Sequence, residues 1–528
     1  MQGGAAVRLR AGPALKQRRS DPRAEVVPGK VLRRALLLLA PFVSGAVIMA
    51  LELVGLRLLA PRFGASTYVW GGLLGTIMAA MAVGYLLGGA LADRRPRPVW
   101  VFGLLLTSAA WVLADLLLVE PMLDASERLG PTLGPVLATT LLLGPPMLLL
   151  GSISPFVVRL EGRLPSLGVT AGRVFALSTA GSLGGTFATA FWLIPTYGCR
   201  TTLQILVATL IVPAIGGGVS VASAGAGLVG ALLLLALPLL GGASAPAAGI
   251  VFAGESPYNT VFVEDQGGNR LLRLNQSKAG FHSIQPRAGL LTGIYYDALY
   301  LAPLMASGRD ILILGMGGGT TVRGYRAFYP GARLTAVEID PLVVRVAQEY
   351  MGVDDGPDLE IHVADARPFL AEGSASFDVV EIDVFAGGPY APFYCLTSEF
   401  FEAVRGRLAP TGVVALNVYA PGGDGELSGA VAGTMASVFA SVFELPLAEE
   451  RVLFAFREPV GLNELHDRLA RENLPPELAW VARRALRELR PAVSNGRAFT
   501  DDLAPVARLT HRMIERQRVR SEPIRRGR

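Results

Sequence analysis

The sequence predicts two joined folds, a multi-span α-helical membrane domain followed by a soluble α/β domain with a doubly wound sheet. Apolar residues are concentrated before about residue 250, and four strand-like segments with polar or glycine-rich ends follow one another after residue 310. Hydrophobic residues make up 51% of the 528-residue chain and charged residues only 17%, which is unusual for soluble domains. A chain of this length also exceeds one ordinary core, so at least two domains are expected.

The amino-terminal half contains apolar runs that match the thickness of a bilayer. A helix needs roughly 20 apolar residues to cross the hydrocarbon core, and residues 35–248 contain about seven such runs. They lie at about 35–60, 68–91, 99–119, 134–158, 174–196, 201–219 and 225–247. The first run is not interpreted as a cleavable signal peptide, because the basic, proline-containing segment 1–34 precedes it and no small-residue cleavage pattern follows it at the right distance. Segment 1–34 is interpreted as cytoplasmic.

The distribution of charge argues against a nucleic-acid partner. The pI of about 9.3 arises largely from basic residues in the first 34 positions and from Arg508 onward. Charge at the margins of membrane segments is first a topology signal, and the Arg-rich end is expected in solvent or at anionic lipid. The two cysteines, Cys199 and Cys395, are too few for a disulfide framework or a cysteine metal cluster, and no metal is expected.

The carboxy-terminal half begins with the pattern of a nucleotide-binding sheet. The strand Ile311–Leu314 runs into the glycine-rich turn Gly315–Gly319 and then into a helix, so backbone N–H groups can approach a ligand closely. A second strand ends in Glu338, about 20 residues later, where a carboxylate can accept hydrogen bonds from both ribose hydroxyls. Two further strands are followed by Asp365 and Asp383.

These four loops should form one crevice, because the carboxyl ends of parallel strands open on the same edge of the sheet. The glycine turn is not followed by the lysine of a P-loop, so a nucleoside is expected rather than a triphosphate. NAD remains compatible with the glycines. The positions of Asp365 and Asp383 favour a ligand of the S-adenosylmethionine type.

The ordered series of motifs resembles the spermidine synthase family, the polyamine aminopropyltransferases, and the helical half resembles its membrane-fused branch. The resemblance covers about residues 250–420 and is carried by Ser256–Asn259, Gly315–Thr320, Val337–Asp340, Ala364–Phe369, Asp383 and Leu396–Phe401. It implies a small β-rich segment within 249–300, a Rossmann-like domain at 301–460, and a helical, Arg-rich region at 461–528.

The resemblance also implies a ligand and roles for individual residues. The co-substrate would be decarboxylated S-adenosylmethionine, and methylthioadenosine would be the product. Tyr296 would line the channel for a diamine, Asp297 would stand beside it, and Asp383 would be the general base. Residues implied in binding the donor are Asn259, Gly315, Gly317, Gly319, Glu338, Asp365 and Ala366.

A base is required by the chemistry of the acceptor. An alkyl ammonium has a pKa near 10, like lysine, so it must lose a proton before its nitrogen can attack the carbon beside a sulfonium. A carboxylate attracts the cation and accepts that proton.

The chain departs from the family pattern at three positions. Gly318 and Ala386 stand where the family has aspartates, and Asp297 stands where it has a histidine. Because those aspartates bind the cationic substrate, their replacement leaves the acceptor amine open, while Asp297 would restore one negative charge.

Three functions follow from these patterns. The first is a membrane-anchored aminopropyltransferase making spermidine from putrescine, with a diamine and the bilayer as partners and a homo-oligomer left open. The second is another S-adenosyl-dependent transferase, such as a methyltransferase. The third is a transporter or sensor whose soluble domain binds a nucleoside or polyamine without turnover.

The loops between the apolar runs predict an orientation. The loop Asp93–Arg97 is basic, whereas Glu120, Asp124 and Glu127 mark the opposite loop, so the amino terminus should be cytoplasmic. Seven crossings would then place the α/β domain where its nucleotide cofactor is not available. We therefore expect one interrupted span between residues 170 and 248 to be broken or re-entrant, and the catalytic domain to face the cytoplasm at the inner membrane.

Overall fold

The computed structural model describes residues 28–63, 67–162, 166–219, 249–275, 280–385, 390–471 and 473–525. They form a helical bundle before residue 220 and an α/β part after residue 248. The last predicted membrane run, 225–247, and most of the basic segment 1–34 lie outside the described residues.

The bundle is built from eight α-helices within the described residues. Four described helical stretches are long and apolar enough to cross a membrane, and a fifth if the pair Thr132–Leu142 and Gly144–Glu161, bent by 51°, is one span. The helices are α1 Pro28–Phe63, α2 Thr67–Arg94, α3 Val99–Glu127, α4 Gly130–Leu142, α5 Gly144–Gly151, α6 Ile153–Glu161, α7 Leu167–Ala188 and α8 Ile194–Val219, with a π-helical turn at Thr189–Leu193.

One of the four stretches, Leu167–Gly217, contains a reversal of the chain. Its backbone leaves helical geometry at Gly198, where φ is +73° and ψ is 176°. Gly181 and Gly185 pack closely on the backbone of α1, whereas Gly216 lies beside Leu36 near the start of α1. The chain therefore runs along α1 and returns. The reversal falls between two of the runs predicted from sequence.

The two ends of the bundle carry different clusters of ion pairs. At one end Arg34 pairs with Glu161 at 2.9 Å and Arg159 pairs with Asp93 at 2.7 Å. At the other end Arg62 contacts three carboxylates in the second half of α3, namely Glu120, Asp124 and Glu127.

The α/β part packs on the Arg62 end of the bundle. Arg57 donates a hydrogen bond to the carbonyl of Ser256 at 2.6 Å and a second one to that of Pro257. Glu255 accepts a hydrogen bond from the backbone N–H of Cys199 at 3.0 Å. The α/β part and the Arg34 end therefore lie on opposite sides of the bundle.

A four-stranded antiparallel sheet follows the bundle, in the order β1-β2-β3-β4. Val261 and Val263 alternate with more accessible residues along β2 and are fully buried, as expected for a sheet with one covered face. They pack on helix α12 of the next domain through Val343 and Val346. The strands are β1 Ile250–Glu255, β2 Thr260–Gln266, β3 Asn269–Leu274 and β4 Ser283–Pro286.

The larger sheet has eight strands in the order β12-β10-β11-β9-β8-β5-β6-β7. Strands β5 to β9 are parallel to their neighbours among themselves, and β10 to β12 add antiparallel pairs. The strands are β5 Asp310–Leu314, β6 Arg333–Glu338, β7 Leu359–Val363, β8 Phe377–Ile382, β9 Leu408–Tyr419, β10 Ser441–Pro446, β11 Glu450–Phe456 and β12 Arg490–Pro491. This arrangement confirms the Rossmann-like prediction.

Helices cover both faces of this sheet, so Ile311 to Leu314 are all fully buried. Strand β5 lies between β6 and β8, and the chain order reverses there, which is where open α/β sheets bind ligands. The helices are α9 Tyr295–Leu299, α10 Ala302–Met305, α11 Thr320–Phe328, α12 Pro341–Tyr350, α13 Ala366–Glu372, α14 Ser398–Gly406, α15 Glu426–Ala436, α16 Leu462–Leu469, α17 Pro476–Glu488 and α18 Val506–Arg525.

Candidate active site

A cavity of about 1230 Å³ opens at the carboxyl ends of the central strands. The loops after β5, β6, β7 and β8 all contribute to its wall, as the four acidic or glycine-rich turns predicted. The end of the helical bundle closes the opposite side through Arg62, Phe63, Asp124 and Glu127. The cavity is therefore shared between the two halves of the chain.

The glycine turn brings the loops of β5 and β8 into contact. Gly315 has φ +89°, and a Cβ at this position would overlap the carbonyl oxygen of Asp383. Gly317 has φ +53°, and its N–H donates to Glu338 Oε2 at 3.0 Å. Gly319, with φ +69°, directly precedes α11. These positions favour glycine because other residues are strained in left-handed geometry.

Glu338 ends β6 at the wall of the cavity. Its Oε1 accepts a hydrogen bond from the backbone N–H of Asp340 at 3.1 Å, and its Oε2 accepts the one from Gly317. Burial raises the pKa of Glu338, while these hydrogen bonds act in the opposite direction. A carboxylate offers about four acceptor positions, so both oxygens retain capacity for two ribose hydroxyls.

Asp365 and Ala366 line the cavity beyond β7. Asp365 caps α13, since its Oδ1 accepts from the backbone N–H of Arg367 at 2.9 Å. Its Oδ2 lies 3.4 Å from the hydroxyl of Tyr394, another residue of the cavity wall. This part of the wall therefore offers one carboxylate beside the small side chain of Ala366, which suits the polar edge of an adenine.

Asn259 also lines the cavity, but its amide is engaged within the protein. Its Nδ2 donates to Asp340 Oδ2 at 3.1 Å, and its Oδ1 accepts from Asn275 at 2.9 Å. Ser256 donates to the same Asp340 oxygen at 2.5 Å. The side chain of Asn259 thus fixes the small sheet to the loop that follows Glu338.

Asp383 is the carboxylate at the centre of the cavity wall. Its Oδ2 accepts a hydrogen bond from the hydroxyl of Tyr295 at 2.8 Å, and its Oδ1 accepts one from Asn417 Nδ2 at 3.1 Å. Burial raises the pKa of Asp383 to about 6, although both hydrogen bonds lower it. A base with a pKa close to the working pH combines availability with proton affinity.

A second carboxylate lies two residues earlier in β8. Glu381 is fully buried and accepts hydrogen bonds from Thr321 at 2.8 Å and from the hydroxyl of Tyr325 at 2.6 Å. Burial raises the pKa of Glu381 to about 8. Glu381 is fully buried, whereas Asp383 is only partly buried at the end of β8 and lines the cavity, so Asp383 is the better placed of the two to accept a proton from a ligand.

Tyr295 is the tyrosine whose hydroxyl contacts Asp383, and Tyr296, expected in the channel for a diamine, lies beside it. Both line the cavity with ring centroids 4.1 Å apart, but the hydroxyl of Tyr296 donates to the carbonyl of His282 at 2.8 Å. Two consecutive residues of α9 point in different directions, so the sequence indicates the pair without showing which member faces β8.

Asp297 does not line the cavity. Its Oδ1 accepts from the backbone N–H of Thr292 at 2.7 Å and its Oδ2 accepts from that of Gly293 at 2.8 Å. The carboxylate closes the turn before α9, and the substrate-binding role expected for it therefore lacks support from this placement. Ala386 lies outside the described residues, and the N–H of Gly318 donates to Ser283 at 2.8 Å.

Several residues of the wall were not anticipated from the sequence, and four of them come from β9 and the β10–β11 hairpin, beyond the recognised motifs. Antiparallel pairing of β11 with β9 brings them beside Asp383. They are Asn417, Tyr419, Glu449 and Glu450.

Comparison with known proteins assigns this region to a family. Residues 293–448, which contain the glycine turn, Glu338, Asp365 and Asp383, match the model of the spermine/spermidine synthase domain. This part of the chain is therefore similar to a spermine/spermidine synthase domain. The recognition made from the motifs is confirmed.

Relatives of the synthase domain include two kinds of transferase. A probable polyamine aminopropyl transferase of Bifidobacterium longum is 31% identical over 278 residues, which are 49% of this chain and 61% of the relative. The eEF1A lysine and N-terminal methyltransferase of Xenopus laevis is 26% identical over 201 residues, 35% of this chain and 29% of the relative. The chain thus spans less than two thirds of either relative.

Among solved structures, a probable spermidine synthase from Corynebacterium glutamicum is similar to this chain. It is 22% identical, with a TM-score of 0.36, over 48% of this chain and 98% of the other.

Proposed function

We propose that the protein is an aminopropyltransferase that moves the aminopropyl group of decarboxylated S-adenosylmethionine to putrescine, giving spermidine and methylthioadenosine. The observation that carries this proposal is the placement of the Asp383 carboxylate in the same cavity as Glu338 and Asp365. The cavity thus combines acceptors for a nucleoside with a base whose pKa burial raises to about 6.

The residues would divide the work as follows. Glu338 accepts hydrogen bonds from the ribose hydroxyls, and Asp365 with Ala366 binds the adenine. The donor supplies a carbon activated by the neighbouring sulfonium. Asp383 attracts the acceptor ammonium and takes one proton from it, and the freed nitrogen pair forms the new C–N bond while the C–S pair leaves with sulfur. Positioning of the two substrates supplies much of the remaining rate enhancement.

The pH dependence of turnover follows from the pKa of Asp383. The base must be ionised, so kcat/KM should rise as pH increases through about 6. Tyr295→Phe removes a hydrogen bond that lowers this pKa, so the rise should move to higher pH. Methylthioadenosine release measured from about pH 5 to 8 tests both expectations. If Tyr295→Phe did not shift the pH profile of kcat/KM, a group other than Asp383 would be responsible for its rise.

The direct test is transfer by the purified full-length chain in detergent or lipid nanodiscs. Decarboxylated S-adenosylmethionine with putrescine should give methylthioadenosine and spermidine in equal amounts. Absence of both products with every diamine tried would refute the proposal. A methyltransferase is the second candidate, favoured by the similarity to the Xenopus enzyme. It predicts S-adenosylhomocysteine from intact S-adenosylmethionine and a methylated acceptor.

We also propose that the bundle lies in a cell membrane, which is supported by the apolar stretches of the described helices. Membrane fractionation tests this location: the full-length chain should remain in the pellet after a high-salt or alkaline wash. Release of the chain into the supernatant by such a wash would contradict it.

The side of the membrane is a separate proposal. We place the catalytic domain in the cytoplasm, where the donor nucleoside is available. Because the domain packs opposite the Arg34 end, this placement requires Arg34 and Arg159 to face outward, against the usual charge bias. The cytoplasmic amino terminus expected from the sequence is therefore not compatible with a cytoplasmic catalytic domain. A reporter fused after Arg528 should be active in the cytoplasm. A reporter active only outside would reverse the orientation.

A further inference from the structure

We infer that Glu449 and Glu450 form the subsite for the second ammonium group of the acceptor, and that the acceptor is therefore an amine with at least two cationic nitrogens. The inference rests on the proposed function of the same cavity. Both residues line that cavity, at the end of the β10–β11 hairpin.

The register of the sheet connects these residues with the base. Glu450 pairs with Tyr419 across β11 and β9, and Asn417 lies two residues before Tyr419. Residues directly opposite in an antiparallel pair share a face, as do alternate residues of one strand. Asn417 Nδ2 donates to Asp383 Oδ1 at 3.1 Å. Glu450 therefore lies on the same face of the sheet as Asn417, roughly 7 Å from it along the strand direction.

Asn417 supplies independent evidence for a ligand between the two carboxylates. Its side chain is only 5% exposed, and its Oδ1 is buried without a hydrogen-bond partner in the described part of the chain. Buried acceptors are almost always satisfied. Since Asn417 Nδ2 already donates to Asp383 and the residue lines the cavity, its orphaned oxygen calls for a donor such as an ammonium N–H.

The charges of the region favour the same ligand. Within the described residues Glu449 and Glu450 have no ion-pair partner, whereas Glu444 on β10 is paired with Arg451 at 2.8 Å. Burial, and then the neighbouring Glu449 and Asp383, raise the pKa of Glu450 to about 7. Carboxylates placed close together repel each other, and a cation between them removes that repulsion.

Arg62 on the bundle wall is not available to neutralise these glutamates. Arg62, which also lines the cavity, is already in contact with Glu120, Asp124 and Glu127.

The test is the double variant Glu449→Gln and Glu450→Gln in the full-length protein. Loss of charge-assisted hydrogen bonds should raise the KM for putrescine about tenfold or more, with little change in kcat at saturating amine or in the KM for the donor. The KM for butylamine, which has one nitrogen, should stay unchanged. Glu458→Gln, an exposed glutamate beyond β11, is the matched control and should behave like the native protein.

Equal KM values for putrescine in the native protein and the double variant would overturn the inference. Equilibrium binding of putrescine in the presence of methylthioadenosine keeps it testable without turnover, because the double variant should bind at least about tenfold more weakly. Unchanged binding would also overturn it. Failure of the proposed function has a different signature, which is the absence of methylthioadenosine release by the native protein with every amine.

Discussion

Asp383→Asn is expected to lower kcat by about a hundredfold to ten-thousandfold, the usual contribution of a positioned general base. Asparagine has nearly the same shape and can still accept a hydrogen bond from Tyr295 or Asn417. It cannot take the proton of the acceptor ammonium, and it removes the negative charge that attracts the cation. The loss should therefore appear in kcat and in the KM for the amine, with little change in donor binding.

Asp378→Asn is the matched control for this substitution. Asp378 lies near the start of β8, at the opposite end of the strand from Asp383, and its carboxylate accepts from the backbone N–H of Asp310 at 3.0 Å. The control should retain nearly native turnover. If Asp383→Asn kept a kcat within about threefold of the native value, the role of Asp383 as base would be wrong.

Gly315→Ala is expected to cost both stability and activity. At φ +89° any side chain is strained by roughly 1–2 kcal/mol, and the new Cβ would also overlap the carbonyl of Asp383. The loops after β5 and β8 must then separate, which moves the base away from the donor. The melting temperature should fall, and kcat should fall by at least about tenfold because positioning is lost.

Gly331→Ala is the control that separates backbone strain from steric overlap as the cause of the loss in Gly315→Ala. Gly331 has a similar φ of +85°, but a Cβ there would meet no atom within 4 Å. The control should show the loss in melting temperature that left-handed strain alone produces, with native kcat. Equal behaviour of the two variants would mean that contact between the two loops does not position the base.

The sequence predicted those parts of the site that local patterns determine. Strands that end in glycine, glutamate or aspartate specify where a parallel sheet presents its loops, so Gly315, Glu338, Asp365 and Asp383 could be expected in one cleft. The position of Asp297 could not be predicted, because the sequence does not distinguish an aspartate beside a channel from one that closes a turn. Tyr295 and Tyr296 differ only by a rotation about a short helix.

The rest of the site depends on contacts between distant segments. Glu450 reaches the cavity through the pairing of β11 with β9, whose register the sequence does not specify. The bundle closes the cavity through Arg62 and Phe63 because Arg57 binds the carbonyl of Ser256, almost 200 positions away. Apolar runs predicted the helices, but their docking on the catalytic domain is a tertiary property.

A structure of the protein with methylthioadenosine bound tests the account most directly. We predict that the ribose lies against Glu338, the adenine lies beside Asp365 and Ala366, and the thioether sulfur faces the Asp383 carboxylate. A nucleoside bound outside this cleft, or bound with its sulfur turned away from Asp383, would contradict the account.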